Sequence, residues 1–185
     1  MPVLILVGVV VVVVFWIIGI YNGLVRRKKQ VDNSWSQIDV QLKRRHDLIP
    51  NLVETVKGYA KHERELLENI TKARAHAIDA RSDGVGSTIA AENALGGMLK
   101  NLMVSVEAYP DLKANTNFLA LQEELTSTEN KIAFSRQHFN DVTTDYNTSR
   151  EIFPNNIFAG MFGFSAHELW QIVDAVDRET PKVAF

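Results

Sequence analysis

Helical proteins hold di-iron or zinc centres on Glu-x-x-His or His-Glu-x-x-His spacings, which bring an imidazole and a carboxylate to one helix face. The chain has five histidines. The residues three positions before His46, His62, His76, His138 and His167 are Lys43, Tyr59, Ala73, Ser135 and Phe164. None is acidic, so neither pattern forms, and the histidines read as surface or flanking residues. There is no cysteine, which removes thiol catalysis, Cys-based zinc sites and disulfides together. Gly84-Val85-Gly86-Ser87-Thr88 looks like a phosphate loop but has neither its lysine nor a preceding strand. No serine lies in a Gly-x-Ser-x-Gly elbow. Nothing converges for acid–base, nucleophilic or metal chemistry, so the sequence reads as non-enzymatic and without a cofactor. A net charge of −2 gives no basic balance for nucleic acid.

One group of charges is left. Arg45 is flanked by Asp39, Arg44 and Asp47, and Glu129 and Arg136 lie seven apart later in the chain. These residues, with Pro50, read as an ion-pair network that sets helix register or as a contact point for another subunit.

The elements that carry them follow from hydrophobic spacing. Val31, Trp35, Ile38, Leu42, Arg45, Ile49, Leu52, Val56 and Tyr59 alternate steps of four and three, a coiled-coil-like seam in which Arg45 is the polar member. Phe118, Leu121, Leu125, Thr128, Ile132, Ser135, Phe139, Val142 and Tyr146 repeat the pattern. Between the seams, the spacing predicts a helix over 61–81 with Leu66, Ile70, Ala73, Ala77 and Ala80 on one face. A second is predicted over 87–109, with Ile89, Leu95, Leu99, Leu102 and Val106 inward. Gly96-Gly97 inside it suggests close packing or a small hinge. The phase of the first seam is kept across Pro50, which favours a kinked helix; the alternative is a restart with Asp47 as cap.

The N-terminal segment differs in kind. No charged side chain occurs from Met1 to Val25, and Val3 to Ile20 is apolar apart from Gly8 and Gly19. A bilayer core about 30 Å thick needs roughly 20 such residues in a helix. Trp16 and Tyr21 lie where aromatic rings favour the headgroups, and the basic cluster Arg26, Arg27, Lys28 and Lys29 follows. The positive-inside rule then places the short N-terminus outside and the remainder in the cytoplasm, with the cluster drawn to anionic lipid. At the other end, Ile157, Phe158, Met161, Phe162 and Phe164 form an apolar cluster. It closes one end of the bundle, or docks on the membrane or a neighbouring subunit. Ser165 and Glu168 make a capping box for a last helix with Leu169, Ile172, Val173 and Val176.

The chain resembles the LemA family. The likeness rests on Tyr21-Asn22-Gly23-Leu24-Val25, the stretch from Trp35 to Tyr59, Glu63, Tyr109 to Ala114, Phe118 to Glu129, Arg136, Tyr146-Asn147, Phe153-Pro154, Gly163-Phe164 and the end from Pro181 to Phe185. The resemblance implies an anchor with its short end outside and an antiparallel four-helix bundle beneath it. It brings no enzyme activity; family members are associated with membrane-protein quality control and insertion, and some relatives with remodelling internal membranes.

The expected fold is all-α: an N-terminal transmembrane helix, an antiparallel up-and-down four-helix bundle, and a short C-terminal helix. Its parts are an anchor over 1–25, a bundle over 26–152, and an apolar cluster, helix and tail over 153–185. The expected function is a non-enzymatic single-pass scaffold of the cell (inner) membrane, whose partners are membrane lipid and other copies of itself in a homo-oligomer. The alternative is an adaptor for a membrane protease or insertase. A reporter fused after Phe185 is expected to be active in the cytoplasm; activity only outside it would overturn the orientation.

Overall fold

A computed structural model of the chain describes residues 1–59 and 63–171. The described residues contain six α-helices and no strand: α1 (Pro2–Lys57), α2 (Arg64–Asp79), α3 (Val85–Val106), α4 (Pro110–Lys113), α5 (Thr116–Glu151) and α6 (Asn155–Met161), with a 3-10 turn at Ala80–Asp83 between α2 and α3. The all-α expectation holds. The apolar N-terminal run and the first seam belong to one helix, α1. Of the expected last helix, residues 164–171 have no regular secondary structure, and Ile172, Val173 and Val176 lie outside the described residues. The sequence expected only an apolar cluster where α6 forms.

The chain divides into two units. Unit one comprises Met1–Ile38 and Phe134–Leu169; unit two comprises Asp39–Ala133 and Trp170–Phe185. In unit one, α1 and α5 run antiparallel: Arg27 pairs with Asp145 at 2.9 Å, while Trp35, further along α1, meets Phe139, earlier on α5, with ring centroids 5.4 Å apart. Leu24, Val31 and Ile38 of α1 and Phe139 and Tyr146 of α5 are buried. The chain after α6 is pinned back onto α5. Asn147 pairs with the backbone of His167 in both directions, Nδ2–H to the carbonyl at 2.9 Å and Oδ1 from the N–H at 3.0 Å. The Tyr146 hydroxyl donates to the Ser165 carbonyl at 2.9 Å.

Unit two is the four-helix part, formed by α2, α3 and the adjoining portions of α1 and α5. Its core includes Leu42, Ile49, Leu52 and Val56 of α1, Ile70 and Ala77 of α2, Leu95, Leu99 and Leu102 of α3, and Phe118, Leu125 and Ile132 of α5. Each large aliphatic side chain buried in this way stabilises the fold by about 1.5–3 kcal/mol before entropy is counted. Trp35 is half-buried and Tyr59 exposed, so the first seam is tightest between Ile38 and Val56. α5 begins on an N-cap, Asn115 Oδ1 accepting from the Phe118 N–H at 3.0 Å. α3 runs unbroken through Gly96 and Gly97. A Cβ on Gly96 would meet Arg45 Nη1 at 3.5 Å, an ordinary contact, and one on Gly97 would meet nothing.

Pro50 lies inside α1 without ending it; the restart at Asp47 does not occur. A proline cannot donate to the carbonyl four residues back, here that of His46. The structure supplies another donor: Arg74 Nε of α2 donates to the His46 carbonyl at 2.7 Å. A charged donor on an otherwise unsatisfied carbonyl offsets part of the cost of an interior proline. Arg74→Leu is therefore expected to cost about 1.5–3 kcal/mol, and clearly less in a Pro50→Ala background, where residue 50 regains its N–H. Equal costs in both backgrounds, measured by urea unfolding, would show that the two residues are not coupled.

Candidate functional site

The charges singled out on α1 do not form one network. Asp39 pairs with Arg81, Arg44 with Glu124, and Asp47 with Lys43 at 2.9 Å. The hydrogen bond from Lys43 holds the Asp47 carboxyl below its usual range. These pairs are exposed or nearly so and contribute little to stability. Arg136 belongs to unit one, Glu129 to unit two.

Arg45 is different. Its side chain is 0% exposed. One arm of the guanidinium, Nη2, donates to a Glu92 carboxylate oxygen and to the Glu92 carbonyl, the latter at 3.2 Å. The other arm, Nη1, holds both carboxylate oxygens of Glu129, at 3.0 and 3.3 Å. Glu92 is fully buried, and its second oxygen lies 2.9 Å from Nε2 of the equally buried His46. Three helices thus meet at one guanidinium, with α3 supplying Glu92, α5 Glu129 and α1 both Arg45 and His46. Burial pushes the Glu92 carboxyl up, but the His46 hydrogen bond and the charge of Arg45 outweigh it and hold the group below its ordinary value.

The reading of the histidines as surface or flanking groups fails at His46, which is 3% exposed. His76 and His138 are exposed, His167 is half-buried, and His62 lies outside the described residues. Glu92 was missed, though a signal was present. It stands three residues after Ile89 and three before Leu95, in phase with the buried stripe of α3. An acid in phase on one seam and an arginine in phase on another is a pairing that sequence can propose. The buried trio is out of reach of any solute, so its chemistry is that of a structural ion network. Among the described residues, no three His, Asp or Glu side chains are grouped to hold a metal.

The other set of residues lies in unit one. Val3 and Trp16 are exposed, and Ile20 is half-buried. α1 is long and apolar enough to cross a membrane, and none of its apolar window is buried. Arg26 and Lys29 are exposed and Arg27 and Lys28 half-buried. α6 and the turn after it pack on the end of the apolar run: Phe158 meets Trp16 edge-on at 6.3 Å, and Phe162 and Phe164 meet Tyr21 at 5.1 and 5.7 Å. Ile157 and Met161 face away and are exposed.

An unburied apolar helix that continues into a charge-stapled bundle defines a membrane-associated helical-bundle protein. The LemA family profile matches residues 34–185, and the chain belongs to that family. It is 25% identical over 171 residues to Protein LemA of Metamycoplasma hominis, covering 91% of this chain and 78% of that one. It is 24% identical over 181 residues to the magnetosome protein MamQ 2 of Paramagnetospirillum magneticum, covering 85% of this chain and 66% of that one. With the magnetosome protein MamQ of Magnetospirillum gryphiswaldense it shares 24% over 189 residues, 88% of this chain and 70% of the other.

Removing one partner from a buried pair leaves a charge uncompensated, so Arg45→Ala is expected to destabilise by about 3–5 kcal/mol. Arg45→Met with Glu92→Gln should recover most of that loss, because the amide still accepts from His46. A carboxyl held low in the fold contributes stability that is present above its unfolded value of 4.5 and is lost as pH falls through its folded value. The wild type should thus weaken below about pH 4.5 more steeply than Glu92→Gln. Urea unfolding followed by the fluorescence of Trp170, which is buried in unit two, checks each of these outcomes.

Proposed function

We propose that this protein is a non-enzymatic single-pass membrane scaffold that self-associates through its helical bundle and organises or remodels the membrane. Its short N-terminus lies outside the cell membrane and its bundle in the cytoplasm. The observation that carries the reading is that α1 does two jobs in one helix. Its first part is apolar and unburied, and its later part supplies the buried seam from Ile38 to Val56.

The interior polar groups support the same reading. Arg45, Glu92 and His46 serve one another and, with Glu129, hold three helices in register, which suits a part whose outer faces must keep a fixed shape. Those faces carry large apolar side chains: Val40, Val104 and Leu119 in unit two and Phe134 in unit one are exposed. Such residues occur singly on many proteins. Copies confined to one membrane, however, meet at a raised effective concentration, where weak side contacts are enough for assembly. The relatives are named for a family and for the magnetosome, not for a reaction.

The mass of the purified full-length protein in mild detergent, beside a chain beginning at Gln30, tests the proposal. The expected outcome is a large, discrete particle for the full-length chain without any added partner. A monomer or dimer for both chains would reject the scaffold and favour an adaptor for a membrane protease or insertase.

A further inference from the structure

The corner formed by the end of α5, α6 and the following turn sits against α1 where α1 is still apolar. The residues it touches, Trp16 and Tyr21, come before the first charged side chain of α1, Arg26. The corner itself carries no Asp, Glu, Lys or Arg between Glu151 and Glu168. Two charge-free segments therefore lie side by side; the pair Arg150 with Glu151 ends α5 at the edge of the corner, and Arg27 with Asp145 lies further along the same two helices. The inner side of the corner is closed, with Ala159 buried and Phe158 half-buried. The outer side is not: Ile152, Phe153, Ile157, Met161 and Phe162 are 51%, 79%, 51%, 71% and 47% exposed.

Non-helical chain is tolerated at membrane depth only where its polar groups find partners within the protein. At the C-terminus of α6 the Phe164 N–H bonds back to the Ala159 carbonyl at 2.9 Å and the Gly163 N–H to that of Gly160 at 3.4 Å. This is a Schellman turn, and its left-handed residue, φ +72°, is the glycine. At the preceding corner, Asn155 Nδ2 donates to the Ser149 carbonyl at 2.9 Å, the Ile152 carbonyl accepts from the Asn156 N–H at 3.0 Å, and that of Pro154 from the Ile157 N–H at 3.2 Å. The proline has no N–H to satisfy. The chain that leaves the corner is bonded to Tyr146 and Asn147.

We propose that this corner is embedded in the acyl region of the bilayer leaflet beside the basic cluster, as a second, non-spanning membrane element alongside the helical anchor. Lipid acyl chains are the occupant because the exposed apolar face continues the unburied surface of α1. A seven-residue helix is about 10 Å long, so it cannot cross a core of about 30 Å. It adds area to one leaflet only. The inference rests on α1 being a membrane anchor.

The absence of native cysteine permits single-site labelling of the full-length protein. Ile157→Cys and Met161→Cys would carry an environment-sensitive fluorophore, with Val10→Cys as the anchor reference and the exposed Thr144→Cys as the aqueous one. Each is reconstituted into vesicles of phosphatidylethanolamine and phosphatidylglycerol and challenged with acyl-chain nitroxide lipids and with iodide. Labels at 157 and 161 should be quenched by the nitroxide several-fold more than at 144, and be shielded from iodide like that at 10. If 157 and 161 behave like 144 while 10 is quenched by lipid, the corner is in water, and the inference fails with the anchor intact. Shielding of 157 and 161 from both quenchers would assign the face to protein contact and also overturn it. If Val10→Cys too behaves like 144, the anchor falls and takes the inference with it.

Discussion

A guanidinium with no exposure to water must find its hydrogen-bond partners inside the protein, and in unit two that requirement governs how the helices meet. Arg45 lies on the buried face of α1 between Leu42 and Ile49. It is compensated only when α3 presents Glu92 and α5 presents Glu129 at the same level. Sliding either helix by one turn would keep leucine against leucine at little cost, since the seams are repetitive. The same slide would strand a buried charge. The apolar stripes therefore supply most of the stabilisation and the ion network supplies the register. His46 extends the device, because its ring holds the second Glu92 oxygen while its backbone carbonyl, left without a helical donor by Pro50, takes the Arg74 side chain of α2. A proline that would otherwise weaken α1 thus becomes the point at which the second helix is attached.

Unit one solves a different problem, that of ending two helices and turning the chain back onto α5. Side chains act as the terminators. Asn147 presents a peptide-like edge to His167, Asn155 caps the exit from α5, and Gly163 reverses the chain after α6. Aromatic side chains from this corner meet Trp16 and Tyr21 on the apolar part of α1. The apolar run of α1 and the apolar cluster are far apart in sequence and adjacent in space.

The elements of this protein were legible because their periods are long and consistent. The two seams, the apolar run and the basic step at Arg26 to Lys29 needed only counting and charge. The unbroken passage through Pro50 was legible as a preserved phase, but its cause was not, because Arg74 lies on another helix. α6 escaped notice because seven residues are too few to show a helical period. The histidines escaped for a related reason. Spacing tests ask whether two groups share one helix, whereas His46 and Glu92 belong to two.

By itself the sequence determined most of the apolar stripe that each long helix buries, where the apolar run would stop, and that nothing along any single helix has the spacing of a metal or catalytic site. Those properties follow from local periodicity and from the cost of placing charge in an apolar medium, and both can be read along one chain. Only the tertiary structure decided which acid answers Arg45, which donor answers the His46 carbonyl, and which part of α1 the apolar cluster covers. Each of those is a pairing between distant segments. A single sequence records that a polar group needs a partner, and folding in three dimensions selects the partner.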